Sequence, residues 1–173
     1  MKHLLTILES DIYPEKINLS SEDFRIRNAA RAVVLNNKGE VALLKANTYS
    51  YHKLPGGGIE QGEDMELALQ RELLEEIGCK ANITSEVGEI IEYRDKWKMR
   101  QISHCYLAQQ VGKQQPPAFT QSEIDEGFEV IWINSIESAI KLLEQDKPEN
   151  YDGLFIQCRD IQLLKTAHQL LSS

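Results

Sequence analysis

Between Glu63 and Ile77 there is no glycine or proline, and Met65, Leu69, Leu73 and Ile77 recur at every fourth position. That spacing keeps to one side of an α-helix, and Gly78 stands where a glycine commonly ends one. Two apolar runs, Ala29 to Leu35 and Val41 to Leu44, flank Asn36-Asn37-Lys38-Gly39 and predict a β-hairpin. Ile90 to Tyr93, Ile102 to Leu107 and Phe128 to Ile133 are short and rich in β-branched or aromatic residues, so they predict strands. The polar stretch from Val111 to Glu126, with Pro116 and Pro117, reads as a long surface loop, and loops of that length are often functional.

Two further helices are expected. One spans Ser135 to Gln145, opened by an Asn134-x-x-Glu137 capping pattern and carrying Ile136, Ala139, Ile140 and Leu143. The other carries Leu154, Cys158, Ile161, Leu164, Ala167 and Leu171. At the N-terminus a short amphipathic segment (Leu4, Leu5, Ile7, Leu8) precedes a polar stretch containing Pro14. The order of strands and helices points to an α/β (α+β) fold, a mixed sheet covered by helices on its faces. Residues 1–26 read as an N-terminal extension packing on the domain, and 27–173 as a single domain with a C-terminal helix.

With 173 residues the chain is long enough for one good core and short for two ordinary domains. Its 42% hydrophobic and 27% charged residues are those of a folding chain. A net charge of −8 disfavours general binding to nucleic acid or anionic lipid. No apolar run approaches about 18 residues and the first residues lack a secretory pattern, so a cytoplasmic location is expected. Cys79, Cys105 and Cys158 are widely spaced, which fits reduced thiols that pack as small hydrophobes.

The chemistry concentrates around Gly56-Gly57-Gly58-Ile59-Glu60-Gln61-Gly62-Glu63 and the helix that follows. A glycine turn usually presents amides to phosphate, yet acidic residues crowd this one. On a helical wheel with Met65 at zero, Leu69, Leu73 and Ile77 fall at about 40°, 80° and 120°, and Glu72, Glu75 and Glu76 at about 340°, 280° and 20°. Glu72 and Glu76 therefore border the buried face, a costly place for a carboxylate unless a cation compensates. A hard divalent cation such as Mg²⁺, shared between carboxylates and substrate phosphates, removes that penalty and reconciles the acidic helix with the glycine turn. A merely solvated acidic face is the plainer alternative for the glutamates alone. Neither familiar glycine motif fits: Glu63-Asp64 replaces the Lys and Ser/Thr of a P-loop, and Gln61 stands where the dinucleotide-binding fingerprint needs its third glycine.

Gly57, Glu63, Arg71, Glu72, Leu73, Glu75, Glu76 and Gly78 match every fixed position of the Nudix box, G-x5-E-x7-R-E-U-x-E-E-x-G-U, with Cys79 at the final apolar position U. The chain resembles the Nudix hydrolases over roughly residues 27 to 147. The resemblance implies a mixed sheet sandwiched between helices and hydrolysis of a nucleoside diphosphate linked to another group, such as a nucleoside triphosphate or nucleotide sugar. It implies Glu72, Glu75, Glu76 and the carbonyl of Gly56 as ligands of Mg²⁺ or Mn²⁺, and a Glu63–Arg71 pair holding the turn against the helix. The general base is expected among the box glutamates or Glu123, Glu126 and Glu129 in or beside the long loop. It also implies a small-molecule nucleotide as partner, without nucleic acid or membrane, and a homodimer as the candidate assembly.

The substrate stays open. The proline that follows the box in ADP-ribose pyrophosphatases is missing, with none between Lys80 and Gln115, and there is no accessory sequence of NADH or coenzyme A hydrolases. Arg94, Lys96, Lys98 and Arg100 alternate around Trp97, which on a strand makes a basic face for phosphate, or else a solvated edge. Tyr49, Tyr51 and Trp97 are candidates to stack on a base, with Tyr51 and Trp97 placed at the substrate. His52 and His104 lack companions at metal-ligand spacing and read as ordinary. Besides hydrolysis, two readings remain: a nucleotide-sensing module that does not turn over, and a structural acidic helix in an interaction protein.

Overall fold

The computed structural model describes residues 1–172. Its elements are β1 (His3–Ile7), α1 (Glu9–Ile12), β2 (Arg25–Leu35), β3 (Val41–Ala46), β4 (Tyr51–Lys53), β5 (Gly56–Gly58), α2 (Met65–Ile77), β6 (Lys80–Arg94), β7 (Met99–Val111), α3 (Gln121–Asp125), β8 (Phe128–Ile133), α4 (Ile136–Gln145) and α5 (Tyr151–Leu171). The strands form one mixed sheet in the order β1-β6-β7-β2-β3-β4, with β5 beside β2 and β8 beside β3.

Period-two alternation assigns the two faces of β2 to different layers. Ala30, Ala32 and Val34 face α2 and pack with Leu69, Leu73 and Ile77. Val33, on the other face, joins Leu43, Leu143, Phe155, Leu163 and Leu164 beneath α4 and α5. Small side chains at Ala30, Ala32 and Ala42 let α2 lie close to the sheet. Leu73 is fully buried, so its truncation to Ala would cost about 2–5 kcal/mol.

The expected hairpin forms, but β2 and β3 pair only at its base, Leu35 with Val41. Beyond that the strands diverge. β5 takes up the edge of β2 at Ala29–Arg31, while β4 and β8 pair with β3. The gap between the diverging strands is where the site forms.

Asp64 caps α2 by accepting from the Leu67 amide at 2.9 Å, and Gly78 closes the helix in the left-handed conformation. The expected strands lengthen into β6 and β7, a long antiparallel pair. The N-terminal apolar segment is β1, which adds to the sheet parallel to β6. Three expectations are corrected. The end of the long loop contains α3. Ser135 rather than Asn134 caps α4, accepting from the Ser138 amide at 3.1 Å. The Arg94 to Arg100 stretch is no single strand: Asp95–Trp97 is a 3-10 turn, Lys98 has φ 44°, and Arg94 pairs with Met99 across the hairpin.

Candidate active site

A cleft of about 520 Å³ opens where β2 and β3 separate. Its floor is the face of β2 and β7 bearing Arg27, Arg31 and Gln101; the glycine strand β5 and α2 form one wall, with α3 and α5 opposite.

The acidic wall is built from α2. Glu76 is 2% exposed and accepts from the Gly56 amide at 2.6 Å and from Lys53 Nζ at 2.8 Å. Burial pushes its carboxyl above the ordinary carboxylate range, against the opposing pull of Lys53. Glu72 lies against the glycine strand, where a Cβ on Gly57 would stand 2.5 Å from the Glu72 carboxylate. A glycine is therefore required there by close approach. At Gly56 the requirement is conformational as well, with φ 125° against the backbone of Ala30 and Arg31.

Arg71 organises the turn above this wall. Its guanidinium donates to both oxygens of Glu63 at 3.0 Å and to the Gly58 carbonyl at 3.0 Å. It also reaches Glu72 at 2.8 Å and Glu75 at 3.2 Å. The planar fork suits this arrangement better than an ammonium would, and the Arg71 hydrogen bonds hold the Glu63 carboxyl below its usual value.

The three expected ligands do not converge. Glu72 and Glu76 line the cleft, whereas Glu75 is 43% exposed and turned toward Arg71. Among the described residues no group of three His, Cys, Asp or Glu side chains is arranged to hold a metal ion. Repulsion between the glutamates is offset instead by two cations of the chain, Arg71 and Lys53. The Gly56 carbonyl accepts from Arg31 Nη1 at 2.8 Å, which leaves one lone pair beside a fixed positive charge. As a donor set, the cleft-facing carboxylates Glu72 and Glu76 still suit a hard divalent cation.

The floor is cationic, and its residues come from distant parts of the chain. Arg31 is buried, and among the described residues its side chain donates to the Gly56 carbonyl and, at 3.4 Å, to Ser103 Oγ; burial pushes its guanidinium down to about 10, still protonated at neutral pH. Arg27 donates to Gln101 Oε1 at 2.5 Å. Glu92 and Asp160, both fully buried, hold Arg94 and Arg159: Arg94 reaches Glu92 at 2.7 Å, and Arg159 reaches Asp160 at 2.6 Å and Glu92 at 3.4 Å. The cationic neighbours hold the Glu92 carboxyl down at about 2 despite its burial.

A NUDIX domain model matches residues 25–154. The chain belongs to the Nudix family. It is 35% identical over 75 residues to an RNA pyrophosphohydrolase of Wolbachia pipientis subsp. Culex pipiens (strain wPip), covering 42% of this chain and 46% of the relative. It is 33% identical over 85 residues to a putative 8-oxo-dGTP diphosphatase of Bacillus subtilis (strain 168), covering 49% and 54%. The chain thus spans about half the length of these curated relatives. Its fold superposes on a NUDIX hydrolase from Nitrosomonas europaea with a TM-score of 0.64 at 17% identity, over 84% of this chain and 90% of that one. Nudix hydrolases generally use divalent metal ions.

Around the Nudix box, the structure separates the other expected site residues. Glu126 lines the cleft, half-buried, and burial raises its carboxyl. Glu123 lies at the rim but is engaged in the cap of α3, accepting from the Thr120 amide at 2.7 Å. Glu129 is exposed on β8 and outside the cleft. Tyr51 and Trp97 line the cleft and Tyr49 does not. Tyr51 is buried, and Trp97 donates to Asp152 at 3.2 Å beside Tyr151.

Of the basic stretch only Arg94 lines the cleft. Lys96 and Lys98 sit in the exposed turn, and Arg100 lies over the Tyr93 ring at 5.8 Å. The turn breaks the alternation that placed all four on one face. His52 is held by Asp146 at 2.8 Å and His104 by Glu89 at 3.6 Å. The three cysteines are free, and burial raises each thiol. Sequence reasoning missed Arg27, Arg31, Lys53 and Arg159. The available signal was Arg25, Arg27 and Arg31 at alternate positions leading into an Ala/Val strand.

Proposed function

We propose that the protein hydrolyses the pyrophosphate linkage of a small nucleotide, a nucleoside diphosphate joined to a further group, with Mg²⁺ or Mn²⁺ held by Glu72 and Glu76, and by Glu75 once released from Arg71. The observation that carries this reading is the meeting of the glycine strand, Glu72 and Glu76 at one cleft with a cationic floor. The names of the curated relatives, an RNA pyrophosphohydrolase and a putative 8-oxo-dGTP diphosphatase, support it. The cleft volume of about 520 Å³ suits a ligand of nucleotide size.

A bound divalent cation supplies charge neutralisation at the phosphate oxygens and a more acidic water. The chain does the rest. Gly56–Gly58 admits phosphate close to the backbone, since no side chain stands between β5 and Glu72. Arg71 fixes the turn and orients Glu72. Glu126, half-buried with a raised carboxyl, is the best placed of the loop glutamates to accept the proton of an attacking water. Trp97 offers exposed aromatic surface at the cleft for a base or sugar, whereas the buried Tyr51 supports the cleft wall.

The test is a turnover screen with Mg²⁺ against nucleoside triphosphates, nucleotide sugars and dinucleoside polyphosphates, read as phosphate or pyrophosphate release. Hydrolysis that EDTA abolishes, and that Glu76→Gln lowers by orders of magnitude, is expected. Tight nucleotide binding without turnover would favour a sensing module instead.

A further inference from the structure

The face of β2 that carries Arg27 and Arg31 changes character along its length. At Val33 it is apolar and covered by Phe155 and Leu163. At Arg31 and Arg27 it becomes charged, continued across the parallel partner β7 by Ser103 and Gln101 and on to β6 by Glu92 and Arg94. A charged patch on the centre of a sheet costs free energy unless each charge is matched.

This patch is not matched. Arg94 and Arg159 draw on Glu92, Asp152 and Asp160. Among the described residues Arg27 and Arg31 form no ion pair; they donate to Gln101, Ser103 and the Gly56 carbonyl. Two donors are also unsatisfied: Nη2 of Arg159, on a fully buried side chain, and the buried Nε of Arg94. Both residues line the cleft. Buried donors without acceptors are uncommon and expensive, and an anion in the cleft would satisfy them.

The patch is also joined directly to the acidic wall. The Gly56 peptide donates its amide to Glu76 and offers its carbonyl to Arg31. Two residues on, Arg27 Nη2 lies 3.1 Å from where a Gly58 Cβ would be, while Gly57 faces Glu72. The glycine strand therefore runs between a carboxylate side and a guanidinium side.

We propose that this floor is a second anion seat, in which Arg27, Arg31 and Nη2 of Arg159 receive a phosphate of the substrate lying beyond the linkage that is cleaved. The proposal rests on the pyrophosphohydrolase reading and narrows it: preferred substrates carry an extra phosphoryl anion, either a further phosphate of a polyphosphate chain or a phosphate on the second moiety. Guanidinium groups suit this role through paired N–H donors matched to phosphate oxygens.

Seat and catalysis are tested separately. Binding of inorganic pyrophosphate is measured by calorimetry in EDTA, where turnover plays no part. Wild-type protein binds, and Arg27→Gln, at a half-buried position, weakens binding at least tenfold with an unchanged circular-dichroism spectrum and a shallower salt dependence. Arg31→Gln gives a second reading should Arg27→Gln misfold. No binding in EDTA, or equal affinity in a folded Arg27→Gln variant, overturns the seat.

With Mg²⁺, Arg27→Gln raises KM at least tenfold for the phosphate-bearing substrate and by a clearly smaller factor for a nucleotide sugar with a neutral sugar. Running a nucleoside triphosphate beside a diphosphate whose second moiety bears a phosphate monoester identifies the source of the anion. A uniform rise across all substrates overturns the assignment. Absence of turnover on every nucleotide would refute the hydrolase reading while leaving the EDTA result to decide the seat.

Discussion

Lys53 and Glu76 form the most buried ion pair on the acidic wall, 2.8 Å apart with side chains 12% and 2% exposed. Lys53→Met keeps most of the stem over the Phe128 ring, which the ammonium approaches at 4.7 Å, and removes the charge. Breaking a buried pair from one side commonly costs 3–5 kcal/mol. Here Glu76 retains the Gly56 amide at 2.6 Å and can take up a proton, so the expected loss is about 2–3 kcal/mol, or roughly 4–12 °C in Tm for a chain of this size.

The pH dependence has a definite sign. The Glu76 carboxyl is raised above the ordinary carboxylate range by burial, with Lys53 opposing. Without Lys53 it rises further. A raised carboxyl binds its proton more tightly in the folded state, so stability is retained at low pH and lost as pH rises from the unfolded value through the folded one. The Tm gap between Lys53→Met and wild type, measured in EDTA, should be greatest near about pH 8 and shrink toward about pH 5. Added Mg²⁺ should narrow the gap at neutral pH, since a ligand that favours the folded state stabilises it by mass action. Equal melting curves, or a gap that widens on acidification, would refute the claim that Lys53 compensates a buried charge.

Gly57→Ala would force a Cβ to within 2.5 Å of the Glu72 carboxylate; kcat/KM should fall by about a hundredfold, as for a misplacement near an ångström, with circular dichroism unchanged. Arg71→Lys cannot reproduce the fork that spans Glu63, Gly58 and Glu72, so both Tm and turnover should fall; unchanged values would show that the fork is dispensable. Glu126→Gln should lower kcat by about 10²–10⁴ and abolish the lower limb of the pH–rate profile, whereas Glu129→Gln, outside the cleft, should act far less on kcat.

What was legible in the sequence was local. The α2 helix, its end at Gly78 and the glycine turn before it lie within one short stretch, so their periodicity and fixed spacing report directly on a local structure. The same logic misread Arg94 to Arg100. Alternating basic residues describe a strand face only if the backbone stays extended, and here a 3-10 turn and a positive φ at Lys98 intervene without the Asn or Gly that would have announced them. The N-terminal apolar residues read only as a short amphipathic segment, because β1 is a short edge strand placed by its partner β6.

The cationic floor was harder to read because it joins β2, β6, β7 and α5, and only the register brings them together. Arg27 meets Gln101, and Arg31 meets Gly56, across 74 and 25 residues of chain. Arg25, Arg27 and Arg31 do alternate as a strand face should, but alternation alone equally describes a solvated edge. The distinction is that β2 is internal, with β7 on one side and β3 and β5 on the other, and α2 covers its opposite face. On an edge strand, basic residues face water at little cost; on an internal strand covered by helices, they face either partners or a cavity. Arg27 and Arg31 have no carboxylate partners among the described residues and border the cleft. Charge placed there has a reason only if something negative enters.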